Sequence, residues 1–327
     1  LHPVAHSFPT RRSSDLYHSG TLFLWAPFYA TGAAGTIIKD FKDPKWIIEA
    51  IAAEGCTDTL FVVPIAIAIL NAMAKKTINL TEYDLSSWKY MEVGAQPVPF
   101  DIMKELVEKL PCMVSNIYGI TEGGGGGTFN LYPEDVLTKP GSIGKPTFGV
   151  EAKIVGPLGD ELPAGEVGEL VFRTPRMMYE YYSNPEKTAE TIKNGWLYTG
   201  DLLKKDKDGY FYIVDRMKDM ITSGGENIYP VEIEDALMDH PDIDDVACIG
   251  YPDDRLVEIV MAVVQLKDGQ KMTEEDVIAF AKTKLSLYKV PRKVIFDTVP
   301  RNPTGKLMKP QLRQKYTGRK EAFKQLV

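Results

Sequence analysis

The rhythm of the chain between residues 44 and 118 constrains the fold more than any other feature. Pro44–Glu54 has an amphipathic helical pattern with proline in its first turn. Residues 57–63 follow as a buried strand of apolar and β-branched side chains. Residues 89–93 are a second strand, 99–109 a helix, and 112–118 a third strand. Strands separated by helices do not pair as hairpins; they line up in parallel with helical crossovers. The chain is therefore expected to carry an α/β domain built on a parallel sheet.

From residue 141 to 172 the pattern changes. Gly144-Lys145-Pro146, Gly156-Pro157 and Gly165-Glu166 divide the chain into short alternating runs, as antiparallel strands and turns do. This stretch is expected to cap the parallel sheet as a small barrel or sheet. Beyond Asp215 an α+β unit follows. It comprises a helix over 230–240, strands over 246–250 and 258–266, a Thr273-capped helix ending at Lys284, and a strand over 294–296. A chain of 327 residues exceeds what one ordinary core serves. The change of composition near Asp215 divides it into a large domain, 17–215, and a smaller mobile one, 216–327.

Hydrophobic residues make up 44% and charged residues 25%, the balance of a soluble globular protein. The net charge of −7 provides no general attraction to nucleic acid or an anionic membrane. From Lys271 onward basic residues outnumber acidic ones, either as a solvated surface or as an attraction for a polyanionic ligand. Cys56, Cys112 and Cys248 are widely separated and each lies in an apolar run. They read as reduced, buried thiols of a cytoplasmic protein, not as a disulfide framework or metal cluster. The longest apolar run, 60–74, contains Pro64 and is too short to span a bilayer. Residues 1–16, with Arg11-Arg12 and several serines, read as an Arg-rich transit peptide or, in preference, as translated adapter sequence joined to a truncated gene. They are set aside, and the natural protein is expected to be longer at its N terminus.

Chemistry concentrates between Asp215 and Pro230. An apolar β-like segment ends there, and Arg216, Lys218 and Gly224-Gly225 follow within about ten residues. Arginine donors and free backbone N–H groups converging after a buried strand suit a phosphorylated ligand. The same run joins two units of different composition, so it is also a candidate hinge. Four other motifs accompany Asp215-Arg216-Met217-Lys218-Asp219 in order: Tyr118-Gly119-Ile120-Thr121-Glu122, Trp196-Leu197-Tyr198-Thr199-Gly200-Asp201, Leu287-Tyr288-Lys289-Val290-Pro291 and Asn302-Pro303-Thr304-Gly305-Lys306. With these motifs the chain, from Tyr17 to about Tyr316, closely resembles the adenylate-forming superfamily of acyl-CoA synthetases, peptide-synthetase adenylation domains and luciferases.

The resemblance implies the C-terminal part of the large adenylate-forming domain, a parallel sheet with helices plus a small antiparallel barrel or sheet, followed by a small α+β domain. It also implies a two-step ligase. A fatty or aromatic carboxylic acid and ATP give an acyl-adenylate, and the thiol of coenzyme A then displaces AMP. A carrier-protein-loading adenylation domain and a non-catalytic AMP- or CoA-binding protein are the alternatives.

Residue roles follow the motifs. Asp201 suits the ribose hydroxyls or a turn, and Arg216 suits ribose and phosphate oxygens or a structural ion pair. Thr121 and Glu122 suit the α-phosphate and Mg²⁺, or an ordinary helix start. Tyr118 suits adenine stacking, with the backbone of Gly94, Ala95 and Gln96 against the other face; a core tyrosine is the alternative. Asn116, Gly119 and Ile213 fall beside the same nucleotide position. Lys306 is the expected catalytic cation, placed between carboxylate and phosphate. Lys218 matches the family's pivot, and Gly224, Gly225 and Glu226 the loop admitting the pantetheine arm, with a plain hairpin as the alternative. His18 matches a histidine beside the acyl pocket, near Val93-Gly94 and residues 120–127. The glycine run 123–127 reads as an open pocket wall or, in preference, a flexible turn. The family's Gly/Ser/Thr-rich pyrophosphate loop does not precede His18, and the resemblance implies that it lay in the missing part. A chain without it is expected to be impaired in the first step.

Overall fold

The computed structural model describes residues 5–9, 30, 32–38, 43–302 and 306–318. The chain begins with β1 (Ala5–Pro9) and β2 (Ala34–Ile38) and then alternates helix and strand. These are α1 (Pro44–Glu54), β3 (Cys56–Val62), α2 (Val63–Ala74), β4 (Tyr90–Gly94), α3 (Phe100–Lys109) and β5 (Met113–Ile120). The five strands run parallel in the order β2-β1-β3-β4-β5. Residues 5–9, set aside in the sequence reading, thus pair with both β2 and β3.

Ile47, Ile48 and Ile51 of α1, Ile65, Ala66 and Ile69 of α2, and Met103 and Leu106 of α3 meet Phe61, Met91 and Val93 of the strands in one core. The apolar run at 60–74 divides at Val62/Val63, with Pro64 in the first turn of α2. The sequence reading assigns no helix there. The less buried side of α2 carries Pro64, Ile67, Ala68 and Ala74 instead of charges, so no polar face reveals its period.

The antiparallel half comprises β6 (Gly125–Leu131), β7 (Ser142–Pro146), β8 (Glu151–Val155), β9 (Val167–Arg173), α4 (Pro185–Thr191), β10 (Ile192–Lys193), β11 (Trp196–Lys205) and β12 (Phe211–Arg216). It is a sheet rather than a barrel, and it continues the parallel half along β5-β6-β7-β12-β11-β9-β8. The joint rests on Phe129, which meets Phe211 and Phe172 edge to face at 5.0 and 6.3 Å.

After Arg216 the chain leaves this sheet and enters a second one at Ile221. Its elements are β13 (Ile221–Ser223), β14 (Glu226–Ile228), α5 (Pro230–Met238), β15 (Ile243–Asp253), β16 (Val257–Leu266), α6 (Glu274–Lys284), β17 (Lys293–Phe296) and α7 (Lys309–Thr317). The strands order as β14-β13-β16-β15, with β17 parallel to β16. Successive residues of β15 point to opposite faces. Val246 and Cys248 meet Ile233 and Leu237 of α5 and Val277 of α6, whereas Ala247 and Ile249 meet Leu312 of α7. Thr273 caps α6, as the sequence predicts, and Asp276 bonds back to complete a capping box.

Candidate active site

Asp201 and Arg216 are register partners on β11 and β12. That pairing brings Arg216 Nε to 3.1 Å from Asp201 Oδ1. Asp201 Oδ2 accepts a hydrogen bond from the Tyr118 hydroxyl at 2.5 Å, although the two residues are 83 positions apart. Thr199 Oγ1 accepts from Asp201 N–H at 3.1 Å and donates to Leu170 O at 2.8 Å, which fixes the turn before the carboxylate. Asp201 is only 5% exposed, while the Arg216 side chain remains 43% exposed. Burial, and then the adjoining Asp201 charge, hold the Tyr118 hydroxyl far above its ordinary pKa, so it stays a hydrogen-bond donor. A carboxylate with two donors still has lone pairs to offer a ligand, and the guanidinium has an open side.

Tyr118 meets Phe129 edge to face at 5.7 Å. Close to it, β4 ends at Gly94, where a Cβ would lie 2.3 Å from Ile117 O, so only glycine allows this approach to β5. Ala95 follows at φ +70°, a conformation costly for a residue with a Cβ, and Gln96 is half-buried. Asn116 is buried and donates through Nδ2 to Ser142 O at 3.1 Å, a link between β5 and β7. The β5–β6 register shifts between Tyr118 and Ile120, at Gly119. Ile213 is half-buried on β12 opposite Leu203, against the phenylalanine core.

Thr121 and Glu122 lie in a single 3-10 turn, Thr121–Gly123, directly after β5. Glu122 Oε1 accepts from the Tyr181 hydroxyl at 2.8 Å, and its carbonyl accepts from Met178 N–H at 2.8 Å. The glycine run is not the flexible turn preferred from sequence. Gly123 closes the 3-10 turn, and residues 125–127 open β6. A Cβ at Gly123 would lie 2.5 Å from Phe172 Cζ, so glycine here admits the aromatic core.

Lys306 comes to this cluster from the other sheet. Asn302 N–H donates to Lys306 O at 2.9 Å, and Lys306 N–H donates back to Asn302 Oδ1 at 2.8 Å. The Arg301–Leu307 bridge closes the hairpin below them. Lys306 as a whole is exposed, yet its ammonium lies where surrounding protein partly dehydrates it and lowers its pKa. Arg216 and Lys218 push in the same direction, while Asp201 and Glu122 oppose them. All four groups are therefore within electrostatic reach of one lysine.

Lys218 belongs to the turn between the two sheets, in which Asp219 and Met220 N–H donate to Arg216 O at 2.9 and 3.1 Å. Gly224 and Gly225 form the tip of the β13–β14 hairpin with φ of +60° and +88°. This is the two-residue turn that favours glycine at both positions. Glu226 beside them is exposed. His18 lies outside the described residues, as do Pro303, Thr304 and Gly305. Cys56 and Cys248 are buried and Cys112 is partly buried, and none of the three is in a disulfide.

Sequence reasoning misses Tyr181, which holds Glu122, and Glu169, whose Oε1 accepts from Gly200 N–H at 2.8 Å. Neither occupies one of the quoted motifs. Strand register brings Glu169 to β11, and the chain after β9 carries Tyr181 back to Glu122. Two open surface depressions, around Glu161–Gly209 and around Gly149–Arg173, share no lining residue with this cluster.

The family model described as AMP-binding enzyme matches residues 13–182, and that of the AMP-binding enzyme C-terminal domain matches residues 232–306. A feruloyl-CoA synthase from Amycolatopsis sp is 36% identical over 306 residues, covering 93% of this chain and 61% of that protein. The long-chain-fatty-acid–CoA ligase FadD13 of Mycobacterium tuberculosis is 41% identical over 251 residues, covering 76% and 49%. The o-succinylbenzoate CoA synthetase of Bacillus subtilis, solved with its acyl-adenylate intermediate, superposes with a TM-score of 0.83 at 28% identity, covering 94% of this chain and 60% of that one. The chain thus spans about half to three fifths of the length of these relatives. It belongs to the family of AMP-binding enzymes.

Proposed function

We propose that the protein to which this chain belongs is an AMP-forming carboxylate–CoA ligase. The observation carrying this reading is the buried Asp201 carboxylate held between Arg216 and the Tyr118 hydroxyl, with the Lys306 ammonium near enough to feel the Asp201 and Glu122 charges. In the first step an acid oxygen bonds to the α-phosphorus of ATP and the α–β bridging bond breaks, releasing pyrophosphate. Asp201 accepts from the ribose hydroxyls, and Arg216 donates to ribose and phosphate oxygens. Tyr118 and the Gly94-Ala95-Gln96 backbone enclose the adenine, with Asn116, Gly119 and Ile213 at its edge. Lys306 offsets the charge that builds as two anions meet, an effect larger in the transition state than in the ground state. His18 is assigned to the acyl pocket.

Glu122 would hold Mg²⁺ with Thr121 beside it. A carboxylate held by Tyr181 suits a hard cation that takes one or two protein carboxylates and completes its shell with phosphate oxygens and water. The bound cation supplies charge neutralisation on the phosphates.

In the second step the CoA sulfur bonds to the acyl carbon and AMP leaves. Lys218 is the pivot that exchanges Lys306 for the Gly224-Gly225-Glu226 hairpin at the reaction centre. Fatty and aromatic acids are the substrate classes, supported by the named chemistry of the relatives. Reduced cysteines support a cytoplasmic location.

The test supplies a preformed acyl-adenylate and either CoA or a carrier protein, and follows AMP and thioester. CoA-dependent thioester formation is expected. Transfer only to the carrier selects the carrier-loading reading. AMP binding without transfer to either refutes a ligase.

A further inference from the structure

The pivot is crossed by a contact to which the ligase reading assigns no role. Asp215 lies on β12, opposite Leu202 of β11, and so belongs to the large sheet. Its carboxylate nevertheless reaches past the turn. Oδ2 accepts from Val231 N–H at 2.9 Å, in the first turn of α5, while Oδ1 accepts from Arg216 N–H at 2.6 Å. The side chain of Tyr229, the N-cap residue of α5, makes no capping bond, so Asp215 caps this helix from the other unit. Asp215 is 3% exposed.

Behind it stands Lys309 at the start of α7, 5% exposed and 2.8 Å from Glu234 of α5. Lys309 also attracts Asp215 and Asp219. Arg313, one turn further along α7, pairs with Asp219. The Lys309–Glu234 and Arg313–Asp219 pairs lie entirely beyond Lys218 and travel with the small unit. The Asp215–Val231 bond joins residues on opposite sides of Lys218, and rotation there breaks it.

We infer that Asp215 is a positioning residue: a latch that holds the small unit in the pose with Lys306 at the nucleotide site and is released when the unit turns for thioester formation. Burial pushes its carboxyl up to about 6, with Lys309 opposing, so the latch is mostly charged at neutral pH. A charged acceptor at a helix N-terminus is worth about a tenfold bias between two poses.

This inference rests on the ligase reading, and its test separates the two. In the full-length protein, Asp215→Ala and the isosteric Asp215→Asn are compared with the unmodified sequence in adenylate formation and in thioester formation from a supplied adenylate. Trypsin cleavage after Arg216 and Lys218 is followed in parallel. Asp215→Ala is expected to lower adenylate formation about tenfold, leave thioester formation unchanged or faster, and speed cleavage. Asp215→Asn, which keeps an acceptor but loses the charge, should shift both ratios less and in the same direction. A folded variant in which both half-reactions fall equally, or cleavage is unchanged, overturns the latch. If the unmodified protein performs neither half-reaction, the ligase reading fails while the cleavage comparison still judges the latch.

Discussion

Replacing Asp201 with asparagine separates its structural role from its proposed ligand role. The carboxylate joins Tyr118 at 2.5 Å to Arg216 at 3.1 Å and is nearly closed to solvent. The amide has one oxygen, which can keep the buried Tyr118 bond at neutral strength, a loss of about 1 kcal/mol. Arg216 then loses its anion, but its side chain is 43% exposed and rehydrates, so that loss is at most about 1 kcal/mol. Folding stability should therefore fall by about 1–2 kcal/mol. The nucleotide has more to lose. One ribose hydroxyl passes from a charged to a neutral acceptor and the other faces the amide nitrogen, at about 1 kcal/mol or more each, so AMP should bind at least about 30-fold more weakly. Asp201→Ala should weaken AMP further and also remove the carboxylate acceptor of the Tyr118 hydroxyl, at about 1–3 kcal/mol of stability. Calorimetric titration with AMP, alongside thermal melting by circular dichroism, reads both quantities. A folded Asp201→Asn variant with an AMP Kd within about twofold of the unmodified protein would refute the ribose contact and leave Asp201 as a cross-strand tie only.

Other outcomes are expected. Lys306→Ala, in an exposed hairpin, should leave the melting temperature unchanged and slow adenylate formation about 10²–10³-fold while sparing thioester formation from a supplied adenylate; equal loss in both steps would remove its assigned role. Gly225→Val places a β-branched residue at φ +88°, with about 1–3 kcal/mol of strain, and should slow the thioester step selectively when the two half-reactions are assayed separately. Glu92 lies on β4 near Asp58, and burial raises its carboxyl from 4.5 to about 7. The folded state thus binds the proton more tightly than the unfolded chain. The resulting stability is complete below about pH 4.5 and is lost as pH rises through about 7, at most about 3 kcal/mol. Glu92→Gln should flatten this part of the profile in urea titrations across the range, and an unchanged slope would contradict the assignment.

The alternation of β3, α3 and β5, the turn-rich change after residue 141 and the Thr273 capping box were all legible, because each is a local pattern of spacing and capping. The apolar run at 60–74 was not, since a helix whose less buried side is also mostly apolar carries no periodic contrast. Nor was α7, whose Leu312 meets the sheet while Lys309 and Arg313 are buried against acids, so its polar letters imply solvent where there is none. The glycine run had the composition of a flexible turn, and its purpose emerged only from Phe172 behind Gly123.

The sequence by itself determined which residue types stand in which order: the motif carboxylates, Arg216, Lys306, the glycine pair, and through them the family. The tertiary structure decided which of them meet. Strand register set Asp201 against Arg216, Tyr181 was brought to Glu122, and Asp215 was carried across the pivot to Val231. These contacts join residues 15 to 59 positions apart. Short-range spacing fixes helices and turns, but only the closing of a sheet fixes which distant side chains share a dielectric.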